Sequence, residues 1–439
     1  MDPDSLRQIR VVIPDLNGIA RAKRMPASAL PKLMAGQVKM PLSALNLDIL
    51  GNDIADSPLV FETGDADGFL RPTARGLLPM PWIGPEAAML PMAMHDEGDH
   101  PFAGDARHAL AAIIDRLAAR GLTAVTATEL EFYLIDDSSG RFQPPVNPTT
   151  GRRSWGAATL SMQVMDTFNP FFDALYAGCE ALGIDAETAT SEAGPGQFEI
   201  NLNHGADPMR MADDTWLFKL LVRRLARAHG FAASFMAKPY PDASGSGLHV
   251  HASLLDRDGR NIFDDGTARG SDALRHAIGG LLATMADATL IFAPHAGGYD
   301  RLVPGAHAPT GIGWAYENRT ASVRVPNGPP AARRLEHRVP GGDTNPYLVL
   351  AAILGGMELG LADQIAPPLP LTGNAYAQNL PQIPADWEDA VARFAASDAM
   401  PRLFPHRLID NFTRTKRQEI AALAAMEPQE LAMLYLDSV

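Results

Sequence analysis

Residues 128–134 read Thr-Glu-Leu-Glu-Phe-Tyr-Leu, an alternation of polar and apolar positions with a period of two. Successive side chains of a strand point to opposite faces, so Glu129 and Glu131 share one face and Leu130, Phe132 and Leu134 the other. Four more stretches repeat the pattern. In residues 247–253, His249, His251 and Ser253 stand opposite Leu248 and Val250. In residues 197–202, Glu199 and Asn201 alternate with Phe198 and Ile200, a few positions after Glu192. Residues 334–338 alternate Arg334, Glu336 and Arg338 with Leu335 and His337, and Arg324 lies between Val323 and Val325 shortly after Arg319. A sheet with one greasy face and one face of carboxylates, imidazoles and guanidiniums is costly unless those charges hold ions. That face reads as a floor for metals and phosphates.

The remaining pattern gives the organisation. Residues 9–13 and 19–23 flank Pro14-Asp15-Leu16-Asn17-Gly18, a hairpin signal at the head of a β-rich first hundred residues. Further apolar runs near 44–50 and 59–61 are set off by Asp, Gly and Pro. The stretch HDEGDHPFAG at 95–104 marks a boundary, which predicts one unit over 1–103 and a larger one over 104–439. Asp105 reads as the cap of a helix through Ala109, Ile113 and Leu117. Helices are expected over 170–182, 208–229, 271–291, 346–361 and 413–424, a surface loop over 136–155 and a proline-rich excursion over 365–384. Alternating strands interleaved with helices predict an α+β fold with a mostly antiparallel sheet.

Composition narrows the class. The 439 residues are 46% hydrophobic and 20% charged, as for an ordinary globular protein. A net charge of −14 argues against nucleic acid as partner. A single cysteine, Cys179, and no visible signal peptide point to the cytoplasm. The most apolar stretches, 278–293 and 347–361, contain Asp287 and Glu358 and read as buried helices rather than membrane spans.

Each constellation has a plainer alternative. Glu129 and Glu131 could be solvated on an edge strand, although TATELEFYLI is very apolar for an edge. His249 and His251 suit a zinc hydrolase, but that chemistry wants further His or Cys ligands. The surrounding carboxylates favour Mg2+ or Mn2+. Glu192 and Glu199 either decorate a Gly-Pro-Gly turn or are brought by it to one ion. Arg301, Arg319, Arg324, Arg334 and Arg338 either face water or grip carboxylate and phosphate. Neither a phosphate-binding G-x-x-x-x-G-K-[ST] loop nor a G-x-S-x-G elbow is present, since Ala243 takes the first position of the latter.

In this order, ELEF, SEAGPGQFEI, GSGLHVHASL, RLVPG, ENRTASVRVP and RRLEHRVPGGDTNPYL resemble the motifs of the glutamine synthetase family across nearly the whole chain. The resemblance implies a small N-terminal β-grasp domain, a catalytic domain, and a dodecamer of two stacked hexameric rings with sites between subunits. It implies that Glu131, Glu192 and Glu199 hold one metal, and Glu129, His249 and Glu336 a second. Arg301, Arg338 and the Gly245 backbone would bind glutamate. Arg319, Arg324 and Arg334 would face the phosphates of ATP, with His251 and Ser253 near the nucleotide. The implied reaction joins glutamate to an amine through γ-glutamyl phosphate.

Three positions depart from the family's usual pattern. Ser244 replaces Asn before the glutamate-loop glycine. His307 replaces the flap glutamate. The Asp-Gly-Ser-Ser motif is missing, with Asp48 its nearest counterpart. In addition, PNGPPAARRLEHRVPGGDTNPYL with the Gly-Trp-x-Tyr-x-Asn-Arg form of GWAYENR resembles the γ-glutamylpolyamine synthetase branch. Together these features lead to the expectation of an amine other than ammonia, with ordinary glutamine synthetase or a metal-dependent hydrolase as alternatives.

Overall fold

The computed structural model describes residues 3–153, 156, 158–306 and 308–439. Strands β1 (Gln8–Pro14) and β2 (Ala20–Pro26) pair antiparallel about the expected turn. Asp15 accepts the Ile19 amide at 2.9 Å across that turn, and Gly18 takes a φ of 80°, a region open to glycine. β3 (Val38–Pro41), β4 (Asp67–Pro72), β5 (Leu78–Pro79) and β6 (Ala87–His95) complete a six-stranded sheet ordered β2-β1-β6-β4-β3, with β5 on β6. The apolar runs at 44–50 and 59–61 add no strand. Leu42–Leu45 is a 3-10 turn and Pro58–Phe61 one helical turn capped by Ser57. Both are too short to extend a ladder, and Leu42, Leu45 and Leu59 pack instead into the core under the sheet.

The helix Ala106–Ala119 starts where the Asp105 carboxylate accepts the Arg107 amide at 2.8 Å. A second sheet follows, built from β7 (Thr123–Ile135), β8 (Ala186–Ser191), β9 (Gln197–Gly205), β10 (Ala232–Ser234), β11 (Leu248–Leu255), β12 (Trp314–Tyr316), β13 (Val323–Val325) and β14 (Leu335–His337). Its order is β12-β13-β14-β11-β7-β9-β8, with β10 on β7, and every pair but β12–β13 is antiparallel. β7 is therefore central, and the edge-strand alternative for Glu129 and Glu131 falls away.

The apolar faces close against helices. Phe132 sits with its ring centroid 5.6 Å from Phe235, 6.1 Å from Phe198, 6.3 Å from Phe171 and 6.4 Å from Phe218. Phe171 and Phe218 come from the expected helices, here Asn169–Leu182 and Pro208–Ala228. The helix expected over 271–291 is broken into Asp272–Thr284 and a short Thr289–Phe292. The helix Pro346–Asp363 is long and apolar enough to cross a membrane by length and composition alone. Here it is buried through Gly360 within the protein. Its tight packing on Asp272–Thr284 needs glycine, since a Cβ on Gly280 would fall 2.0 Å from the Gly356 carbonyl oxygen. Near the C-terminus the helix expected over 413–424 begins earlier, spanning His406–Leu423, and its first turns bury Leu408, Ile409 and Phe412 at helical spacing. Trp387–Ala396 and Pro428–Ser438 are further helices there.

Candidate active site

The registers of the second sheet lay its polar side chains out in rows. β7 and β9 set Glu131 opposite Glu199 and Glu129 opposite Asn201. β7 and β11 set Glu129 opposite His249, and β11 and β14 set His251 opposite Glu336, which in turn faces Arg324 on β13. Directly opposed residues of antiparallel strands share a face, so this pairing assembles the floor. Ligand atoms of Glu129, His249 and Glu336 lie within 4.8 Å of one another, and so do those of Glu131, Glu199 and His249. Glu192 belongs to neither compact trio. It stands half-buried nearby, with Thr190 Oγ1 3.3 Å from its carboxylate.

Hydrogen bonds orient these groups. Arg334 Nε donates to His251 Nδ1 at 3.1 Å, which leaves Nε2 to carry the proton and donate to Glu129 Oε1 at 2.9 Å. His249 Nδ1 reaches the other oxygen of Glu129 at 3.2 Å. The Gly247 amide donates to Glu131 Oε2 at 2.6 Å. Glu336 is gripped from both sides, hydrogen-bonded by Arg338 Nη1 and ion-paired with Arg324 Nε at 2.6 Å.

The charges are unequally compensated. Burial raises the Glu129 carboxyl, but the two histidines outweigh it and hold the group far below the usual carboxylate range. Burial also opposes the charge on Glu336, and Arg338, His249, His251 and Arg324 overcome it. Glu199 lacks such partners. Burial, together with repulsion from Glu129, Glu131 and Glu192, pushes it up to about 9 against a small opposing pull from Arg319. Glu192 moves the same way, by burial and the Glu131 charge. A carboxylate cluster of this kind wants cations, and its oxygen-rich donors with one imidazole suit hard divalent ions.

The remaining predicted residues fall around the floor. Arg319 is exposed at the rim, its charge reaching Glu192 and Glu199. Glu129, His251, Ser253 and Arg334 line a cavity of about 560 Å³. Arg301 is buried, with Nη1 donating to the Val339 carbonyl at 2.6 Å. It packs on the glycine-rich loop, where a Cβ on Gly245 would meet Arg301 Cγ at 2.7 Å and one on Gly247 would meet Arg301 Nη2 at 2.6 Å. The glycines of this loop therefore make room for Arg301.

Asp48 is not brought to the floor. Its carboxylate is taken up by the Leu50 and Asn52 amides at 3.0 and 2.8 Å and by Gln418 Nε2 at 2.7 Å. Within a single chain this buried acid is held by its own loop and by the His406–Leu423 helix. His307 lies outside the described residues.

Sequence reasoning missed residues that hold the site together. Gln197 accepts the Gly194 amide at 2.9 Å and donates to the Gly245 carbonyl at 3.0 Å, tying the Gly-Pro-Gly turn to the glycine-rich loop. Tyr133 donates to the Ser244 carbonyl at 2.6 Å. Asn201, Asn203 and Asn261 also line the cavity. The alternation along β9 flagged Asn201 and extends to Asn203. Nothing local marked Asn261.

Residues 103–434 match the family described as glutamine synthetase, catalytic domain. Gamma-glutamylputrescine synthetase PuuA of Escherichia coli (strain K12) is 35% identical over 94% of this chain and 88% of its own. The glutamate--isopropylamine ligase of a Pseudomonas species is 29% identical over 96% of this chain and 93% of its own. A solved structure of apo GmaS without ligand superposes with a TM-score of 0.83 at 28% identity, covering 96% of this chain and 94% of that one.

Proposed function

The chain belongs to the glutamine synthetase family, and on that premise we propose that it is an ATP-dependent ligase joining the γ-carboxylate of glutamate to a polyamine or small alkylamine. The observation that carries the ligase reading is the placement of two carboxylate–imidazole trios, sharing His249, on one floor at the edge of a cavity of about 560 Å³. The choice of amine is supported by the likeness to the putrescine and isopropylamine ligases and by His307 at the flap position.

Glu129, His249 and Glu336 would hold one divalent cation and Glu131 and Glu199, with Glu192 near them, another. Mg2+ or Mn2+ in those places offsets negative charge on phosphate oxygens and orients them. Arg301, Arg338 and the Gly245 backbone hold the glutamate. Arg319, Arg324 and Arg334 face the phosphates, while His251 and Ser253 border the nucleotide. A γ-carboxylate oxygen bonds to the terminal phosphorus of ATP as the bond to ADP breaks. The amine nitrogen then bonds to the acyl carbon, phosphate leaves, and the nitrogen gives up a proton. The arginines counter the charge that builds up during both steps.

Ammonium must be drawn in as a cation and deprotonated, work suited to converging carboxylates. With His307 in place of a glutamate the flap loses a negative charge. Phosphate release from ATP and glutamate, measured with ammonium, methylamine and putrescine, tests the reading. The expected result is kcat/KM for an alkylamine at least tenfold above that for ammonium, about 1.4 kcal/mol in the transition state. His307→Glu should narrow the gap. A tenfold preference for ammonium would make this a glutamine synthetase in the ordinary sense, and turnover without ATP would make it a hydrolase.

We also propose that residues 1–103 form a β-grasp domain that completes a neighbour's site in a dodecamer of two hexameric rings. Sedimentation should find a large assembly, and a fully active 47.0 kDa monomer would overturn this arrangement.

A further inference from the structure

Two buried charges that the ligase chemistry does not use, Lys219 and Asp343, lie behind the glycine-rich loop and Arg301. Lys219 Nζ donates to the Thr344 carbonyl at 3.1 Å and lies 5.4 Å from the centroid of the Phe235 ring. Its charge faces Asp343, and burial pushes the ammonium down to about 7. Asp343 Oδ2 accepts the Ala237 amide at 3.3 Å, while its Oδ1 has no hydrogen-bond partner.

From Ala237 the connections run straight to the floor. The Ala237 carbonyl accepts the Ser246 amide at 2.9 Å, and the Ser246 carbonyl accepts the Gly342 amide at 2.9 Å. The Leu248 amide donates to the Pro340 carbonyl at 2.9 Å, and Arg301 Nη1 donates to the Val339 carbonyl at 2.6 Å. Gly245 is wedged between its neighbours. A Cβ there would lie 2.5 Å from the Ala237 oxygen and 2.7 Å from Arg301 Cγ. Residues 339–344 therefore form a rail on which the glycine-rich loop and Arg301 are both set, and Asp343 pins the start of that loop to the rail. With an interior this closely packed, a shift at Ala237 is passed to Gly245 and Arg301 together.

We infer that Asp343, held opposite Lys219, is a positioning residue for the glutamate subsite: it sets the backbone at Ala237 against which Gly245 and Arg301 are placed. This rests on the assignment of Gly245 and Arg301 to glutamate. The nucleotide cavity is lined by other residues, from β7, β9 and β11 and from the turn at 331–334, so losing Asp343 is expected to act on glutamate more than on ATP.

The test is steady-state kinetics of the full-length protein with Asp343→Asn, Lys219→Met, the two combined, and Arg301→Lys. Asp343→Asn is expected to raise KM for glutamate at least tenfold, with KM for ATP changed less than twofold and kcat at saturating glutamate changed less than threefold. The double variant should lie closer to the wild type than Asp343→Asn does, since it leaves no unmatched buried charge. If Asp343→Asn does not yield folded protein, the same split is read in Asp343→Glu, which keeps the charge but misplaces it. Folded variants with KM for glutamate within twofold of wild type, or with kcat falling in step with thermal stability at constant KM, overturn the inference. Arg301→Lys separates the two layers. If it raises KM for glutamate while the Asp343 variants do not, only the positioning role fails. If it leaves that KM unchanged, the glutamate assignment fails and takes the positioning role with it.

Discussion

Glu199 and Glu129 show how differently one sheet treats two carboxylates. Glu129 receives both histidines, whereas Glu199 is pushed up to about 9 by burial and by its acidic neighbours. The floor without cations therefore carries uncompensated repulsion, and cation binding should stabilise the fold by linkage. Mg2+ or Mn2+ at a hundredfold excess over its Kd is expected to add about 2.7 kcal/mol, read as a rise in Tm. Glu131→Gln should cut that rise by roughly half or more and lower ligase activity roughly a hundredfold, because one ligand and one charge are gone. Wild-type activity in that variant, or a Tm blind to divalent cations, would refute the metal assignment. The two histidines divide their work in a way only the structure reveals. His251 is held by Arg334 in the tautomer that donates to Glu129, while His249 belongs to both trios.

At the scale of the element, β7 determines the site from behind. Its even-numbered residues 130, 132 and 134 are fully buried and its odd-numbered 129 and 131 face the floor, so packing on one face fixes the height of the carboxylates on the other. Phe132 is the centre of that packing, among four aromatic rings. Phe132→Ala is expected to cost about 3–5 kcal/mol, seen as a lower midpoint in urea. A loss under about 1 kcal/mol would mean that the neighbouring rings collapse into the space. The alternation stops being polar beyond Glu131. Tyr133 and Ile135 keep to the same side of the strand but are buried with Tyr240 and Leu436. The C-terminal helix and the 240–244 loop cover that end of the floor, which a period-two reading of the strand alone could not anticipate.

Across the whole molecule, the first sheet is anchored by polar groups far apart in the sequence. Lys416 donates to Asn17 at 2.5 Å and to Glu419 at 2.8 Å, and Asn17 donates to the other oxygen of Glu419 at 2.8 Å. Asn345 Nδ2 holds the Asp15 carbonyl at 2.9 Å, and the Trp216 indole donates to the Gly18 carbonyl at 2.9 Å. The β1–β2 turn is thus docked on Trp216 of the Pro208–Ala228 helix, on Asn345 at the start of Pro346–Asp363 and on the His406–Leu423 helix. Lys416 and Glu419 have no solvent-exposed side-chain surface. Lys416→Met should therefore destabilise by about 3–5 kcal/mol, by leaving Glu419 charged and unpaired. Adding Glu419→Gln should recover much of that loss. Chemical denaturation of the single and double variants checks both statements, and equal losses in the two would show that the pair acts through packing alone.

By itself the sequence determined which side chains could share a face. A period of two is a property of the strand backbone, so Glu129 with Glu131, and His249 with His251, followed from spacing alone. The α+β class, the hairpin at its start, the Asp105 cap and most of the helices were legible for the same reason, since each depends on neighbours within a few residues. Only the tertiary structure decided which strand lies beside which. The pairings of Glu131 with Glu199, Glu129 with His249 and His251 with Glu336 join segments about 70 to 120 residues apart. Registers between distant segments are chosen by the packing of their apolar faces, which no local pattern encodes. The same holds for Asp48, whose likeness to an amine-site acid gave no sign that Gln418 on a distant helix would engage it. It holds again for Lys219 and Asp343, which take on meaning only when folding buries both charges behind the glycine-rich loop.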